Sequence, residues 1–270
     1  MDRLQKAVAR AKEKKGSARP NSVLVSGPRL DSADSVEQLE TNVIEVPESQ
    51  LAQQRVVASL DNITDASTFS FLRTKILSKM KANNWQTLAI CSPSPGQGKS
   101  TVAANLAVAM SMEVTQAAVL VDLDLNRPNQ HQVFGIEPEF GVSDILRGEA
   151  SVQDTLINPG IKRLSLLLGR GVMPEASKWM SDPIMHNIFE ELSARYRTRF
   201  VIYDMPPLLK SDDTLKAIRN FDCSLLVVED HKNTSEEIRQ AMQIVQQTNY
   251  LGYVLNKVEN ASPLSGLFSR

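Results

Sequence analysis

The chain has 270 residues, 42% of them hydrophobic and 23% charged, enough apolar material for one large buried core plus an extension. Its 30 Lys and Arg against 31 Asp and Glu leave a formal net charge of -1, which excludes a basic nucleic-acid footprint over the whole molecule. Two cysteines, Cys91 and Cys223, exclude a disulfide scaffold, and no apolar run approaches the roughly 18 residues a spanning helix needs.

Charge divides the first sixty residues. Arg3, Lys6, Arg10, Lys12, Lys14, Lys15 and Arg19 face only Asp2 and Glu13 within residues 1–19. Met1, Leu4, Val8 and Ala11 share one face of a short basic helix there, a shape suited to a solvated terminus or to an acidic or membrane surface. The start lacks the apolar stretch of a secretory signal, so a cytoplasmic location is expected. A Gly/Pro/Ser linker and the acidic stretch 31–50 follow, and residues 1–60 read as an extension to a domain spanning 61–270.

Within 61–270 the spacing predicts a helix over Asp65–Asn83, capped at Asp65 or Ser67, then a short apolar strand at Gln86–Ser92. A helix follows from Lys99, then a strand at Ala117–Leu125 and a helix over Ser181–Tyr196. Strands at Phe200–Pro207 and Ser224–Asp230, a helix capped by Thr234 or Ser235, and a strand at Gly252–Glu259 close the series. The strands are almost continuously apolar and alternate with helices. This pattern predicts an α/β fold: a mostly parallel central sheet with helices on both faces, three layers in all.

The residues between the first of these strands and the next helix are the most informative. Ser92 to Thr101 reads S-P-S-P-G-Q-G-K-S-T, the strand–loop–helix setting of a phosphate-binding loop. Gly96 and Gly98 let backbone N–H groups turn inward on phosphate oxygens; Lys99 can reach the terminal phosphates, and the Ser100 hydroxyl can ligate Mg2+. The general pattern asks for Gly where Pro93 stands. Asp122 and Asp124 end the following strand on one side, and Asp204 ends the strand Phe200–Asp204. Ligands of open α/β sheets sit beyond the carboxyl ends of the strands, so these aspartates suit Mg2+ beside the loop. His131, His186 and His231 have no paired metal-ligand spacing, and Cys91 reads as a small buried side chain.

Together the loop Ser92–Ser100, the element Asp122-x-Asp124-x-x-Arg127-Pro128 and the strand ending Asp204-x-Pro-Pro resemble the bacterial tyrosine kinases, or BY-kinases, of exopolysaccharide systems. These belong to the deviant-Walker P-loop ATPases. The resemblance covers roughly residues 65–260, including Gly141–Glu149, Gly169–Ser181 and Gly252–Lys257, and residues 1–15 resemble the start of family members encoded with exopolysaccharide systems. It implies ATP and Mg2+ as cofactors. Pro95, Gly96, Gln97, Gly98, Lys99, Ser100 and Thr101 would cradle the nucleotide phosphates, with Asn256 contacting the base. Ser100, Asp122 and Asp204 would hold the metal; Lys99, Asp122, Asp124 and Asp204 form the catalytic set, with Asp124 the candidate for activating the tyrosine hydroxyl.

The implied partners are protein substrates and the cytoplasmic tails of an inner-membrane polysaccharide chain-length regulator, which would hold the protein peripherally at that membrane. A homo-oligomer is compatible with the resemblance, and no nucleic-acid partner is expected. The chain departs from the family at Asn126, at Met205, and at Ser67 and Ser70 of a motif that keeps only Arg73. Residues 261–270 carry no tyrosine, so weak autophosphorylation is expected, at Tyr250 before Tyr253, with Tyr203 locked in a strand. Two readings stay open beside the kinase. One is a kinase-like ATP-binding scaffold; the other is a switch ATPase of partition or division-site type, which would want lysine where Ser94 stands.

Overall fold

The computed structural model describes residues 41–59, 64–114, 116–194, 199–210 and 212–258. The basic segment 1–19, Tyr196 and the residues beyond 258 lie outside that set, as do the expectations that rest on them.

Among the described residues, eight strands form one sheet: β1 Asn42–Val43, β2 Thr87–Cys91, β3 Ala117–Asp122, β4 Leu156–Asn158, β5 Leu164–Leu167, β6 Arg199–Asp204, β7 Cys223–Glu229 and β8 Asn249–Asn256. Their order is β1-β4-β5-β3-β6-β2-β7-β8, parallel throughout except where β4 meets β5. The helices used below are α1 Glu48–Gln53, α2 Thr64–Ala82, α3 Lys99–Ser111, α4 Gln130–Phe134, α5 Pro183–Ala194, α6 Asp213–Ala217 and α7 Ser235–Val245. The α/β architecture expected from the sequence is the one observed.

Strands β2, β3 and β6 are buried at every position, which explains their unbroken apolar sequence: both faces of the sheet are covered. Alternation still sorts the side chains. Leu88, Ile90, Leu120 and Ile202 join one core beneath α2 and α3, while Ala89, Cys91, Val121 and Tyr203 join the other beneath α5 and α7. Helix α3 is buried nearly all round because it is enclosed by the sheet on one side and α2 on the other. Its Ala-rich sequence lets the backbones approach closely. Helix α7, at the surface, begins with a reciprocal capping box between Thr234 and Glu237, one of the two caps the sequence offered.

The sequence placed residues 41–60 in the extension, but the structure packs residues 42–58 into the domain. Strand β1 pairs in parallel with β4, and Leu51, Val56 and Ala58 are buried in the core under α3. Asn105, on α3, fixes this segment: Oδ1 accepts from the N–H groups of Val57 and Ala58, and Nδ2 donates to the carbonyls of Arg55 and Thr101. All of its bonding capacity is used, which is how a fully buried amide is tolerated. The acidic composition of 31–50 hid this segment, since only isolated apolar residues mark it.

Candidate nucleotide site

The loop Ser92–Gly98 joins β2 to α3 at the carboxyl end of the sheet. Gly96 and Gly98 have φ of +76° and +86°, a region that costs little only for glycine. A Cβ on Gly96 would meet nothing, whereas one on Gly98 would displace the Asn256 side-chain amide, so at both positions it is the conformation that asks for glycine. Gly98 is also the N-cap of α3 and supplies no side chain to it, so the first amides of the helix stay available to an anion. Pro95 sits half-buried in the turn, Ser100 and Thr101 open the helix half-buried, and the Thr101 carbonyl accepts from Asn105.

Lys99 is buried and forms an ion pair with the fully buried Asp204. Burial alone would push the ammonium pKa down, but the charge of Asp204, aided by Asp124 and Asp122, outweighs it and the pKa ends raised. The lysine therefore stays a cation, as a phosphate ligand must. Parallel pairing of β3 with β6 sets Asp122 directly across from Asp204, and β2 sets Ile90 beside the same residue. Three strand ends thus converge on one point.

Asp122 Oδ2 accepts from the backbone N–H groups of Asn129 and Gln130 at 2.8 and 2.9 Å, which anchors the start of α4. Burial, with the neighbouring charge of Asp204, raises its pKa to about 7 despite those bonds and Lys99. Asp124, chiefly through burial, is raised to about 6 and accepts from the Arg127 N–H. Gly169 lets the following loop lie close over this element: a Cβ there would strike Pro128 and come within 3.4 Å of Asp122 Oδ2. Asn126, one of the departures from the family pattern, donates to the buried Asp213 at the start of α6.

Asn256 donates from Nδ2 to the Gln97 carbonyl at 2.8 Å, and Lys257 donates to the Gly96 carbonyl at 2.7 Å while pairing with Glu229. The Gln97 side chain turns back into the protein, accepting from Ser94 N–H and donating to Asn233 Oδ1. Asn256 and Gln97 therefore brace the loop here. All eleven residues picked out from the sequence lie on the loop, on α3 or at the ends of β3, β6 and β8. Sequence reasoning missed Gln130, Asn233 and Lys257; a polar residue behind Arg127-Pro128 and a lysine after Asn256 were the only signals, and neither carries a chemistry of its own.

The residues present fit a magnesium nucleotide. Two glycines with positive φ, a helix start without a side-chain cap and a buried lysine cation face a group of desolvated carboxylates, of which two hold protons unusually tightly and would gain from a cation. Mg2+ in such a place would be held by a hydroxyl, phosphates and its own waters.

Other candidates resolve as packing. Cys91 is fully buried and its thiol is pushed up to about 12 by burial, which removes the thiolate a redox role needs. Tyr203 is buried, as expected. From the sequence, autophosphorylation is expected at Tyr250 before Tyr253, but exposure runs the other way: the Tyr250 hydroxyl is buried and its pKa raised to about 12 by burial, while Tyr253 is 46% exposed on the edge strand.

This fold and this site define a P-loop nucleotide-binding protein of the open α/β class. The chain belongs to the CobQ/CobB/MinD/ParA nucleotide-binding domain family, whose model matches residues 88–265. It is 28% identical to the tyrosine-protein kinase YwqD of Bacillus subtilis over 207 residues, 76% of this chain and 86% of that protein. It is also 28% identical over 204 residues to the tyrosine-protein kinase Etk of Escherichia coli, covering 74% of this chain but 28% of Etk. The solved kinase domain of Escherichia coli ETK superposes with a TM-score of 0.67 at 27% identity, covering 84% of this chain and 86% of that one. The chimerical protein CapA2B2 superposes with a TM-score of 0.69 at 27% identity, covering 81% and 94%. The resemblance to bacterial tyrosine kinases read from the motifs is thus the one the comparisons return.

Proposed function

We propose that this chain is an ATP-dependent protein-tyrosine kinase that acts with a membrane chain-length regulator in exopolysaccharide synthesis. The observation that carries the kinase reading is the placing of Asp124 two residues beyond Asp122, beside Lys99 and Asp204. A carboxylate whose pKa lies near 6 is a better proton acceptor than an ordinary one, which supports Asp124 as the group that would activate a tyrosine hydroxyl. Phosphoryl transfer asks mainly for positioning and for neutralisation of developing charge. Lys99 and the α3 amides would supply positive charge, Ser100 would offer its hydroxyl to Mg2+, and Asp122 and Asp204 would orient the water shell of that ion. Bound Mg2+ would neutralise phosphate charge. The relatives named as tyrosine kinases support this reading, and the basic segment 1–19 supports docking at an anionic or acidic surface.

Incubation with radiolabelled ATP and phosphotyrosine detection, with and without the regulator's cytoplasmic tails, tests the proposal. Phosphotyrosine on the tails is expected, with any mark on the described part of this chain at Tyr253. No phosphotyrosine on either chain, with nucleotide binding intact, would replace the kinase by a nucleotide-binding scaffold. Deletion of residues 1–20 is expected to release the protein from membranes on cell fractionation.

A further inference from the structure

Gln130 is the first residue of α4 and is fully buried at 0% exposure. Its backbone N–H donates to Asp122, and its side-chain Nε2 donates both to Asp204 Oδ2 at 2.8 Å and to the Ser100 carbonyl at 3.1 Å. One residue thereby ties together the three pieces to which the metal is assigned: the start of α3, the end of β3 and the end of β6. Both partners of the amide are acceptor oxygens, so the orientation of the amide is fixed and Nε2 must face them. The other amide atom, Oε1, is buried and has no hydrogen-bond partner. It shares a carbon with Nε2 and so lies beside the same carboxylate.

A buried acceptor left without a donor costs about 1–3 kcal/mol, and native proteins rarely keep one without use. The partner has to be a donor. The carboxylates at this point are acceptors when ionised, and the Lys99 ammonium, paired with Asp204, makes no hydrogen bond to Oε1. Water polarised by a divalent cation is the strong donor such a place would receive. We propose that Gln130 is a positioning residue of the metal site: its side-chain Nε2 holds Asp204 in place, and its Oε1 accepts a hydrogen bond from a water of the Mg2+ shell. The inference rests on the magnesium–nucleotide reading above.

Calorimetric titration of ADP with Mg2+ and with EDTA tests it, on the full chain and on two variants. In the wild type Mg2+ should raise ADP affinity. Gln130→Met fills the same space without polar atoms and should cut that enhancement by about tenfold, the usual cost of losing a partner that orients a metal's ligands. Its affinity in EDTA should stay near wild type. Gln130→Glu keeps the acceptor oxygen but puts a carboxylate against Asp204, so it should melt lower without metal yet retain the Mg2+ enhancement. An unchanged enhancement in Gln130→Met overturns the inference, and so does an equal loss with and without metal, which would mark a purely structural role. Equal loss of enhancement in both variants overturns the part played by Oε1, and Gln130→Glu carries the test should Gln130→Met fail to fold. A wild type that binds ADP equally with and without Mg2+ overturns the magnesium reading itself.

Discussion

The two halves of the site are built on opposite principles. The inner half, Lys99, Asp122, Asp204 and Gln130, is buried and interlocked, each group fixed by a neighbour from another strand or helix. The outer half, Gly96, Asn256, Lys257 and Glu229, is part-exposed and held by hydrogen bonds to loop carbonyls and by an ion pair open to water. Low dielectric makes each charge of the inner half count heavily, and a missing partner there leaves a charge stranded. In the outer half water can replace what is lost. The buried half is therefore preorganised, whereas the part-exposed half can adjust.

The largest effect should come from Lys99→Met. The lysine is buried, so Asp204 would lose its counter-ion as well as the phosphate its ligand. Calorimetry should show nucleotide affinity falling by about 100-fold or more. Thermal or urea unfolding should show a loss of about 3–5 kcal/mol. The double variant Lys99→Met with Asp204→Asn should recover much of that stability and none of the binding. Full stability in the single variant would break the contrast between the halves.

Next comes the support beneath the inner half. A chain begun at residue 61 should be less stable than one begun at residue 41 by about 3–6 kcal/mol, from the burial of Leu51 and Val56 alone. Asn105→Ala should cost about 1–3 kcal/mol by stranding the Val57 and Ala58 amides. Equal denaturation midpoints for the two chain lengths would return the domain boundary to residue 61.

The outer half should respond less. Asn256→Ala frees the Gln97 carbonyl and should weaken nucleotide binding by about three- to tenfold with little change in melting temperature. Lys257→Ala removes a screened pair and one bond to Gly96, and should change affinity by less than about threefold at 0.15 M salt. An effect at Asn256 as large as that at Lys99 would erase the distinction.

The sequence by itself determined the parallel sheet, the phosphate loop and the three aspartates, because each is written in a local pattern: unbroken apolar runs, a Gly-rich turn between strand and helix, an acid at a strand end. Most element bounds followed within a few residues. What lacked a local pattern was lost. Strand β1, α1 and the antiparallel pair β4–β5 are short and only partly apolar, and they gain stability only from tertiary partners: β1 from β4, more than a hundred residues away, β5 from β3, and α1 from the core under α3. Tyr250 and Tyr253 differ in sequence by position alone; the register of β8 against β7 decides which hydroxyl is buried. Gln130 is one polar residue among several until β3, β6 and α3 meet around it. Local chemistry can be read along the chain, but burial and the pairing of distant polar groups exist only once the sheet has brought them together.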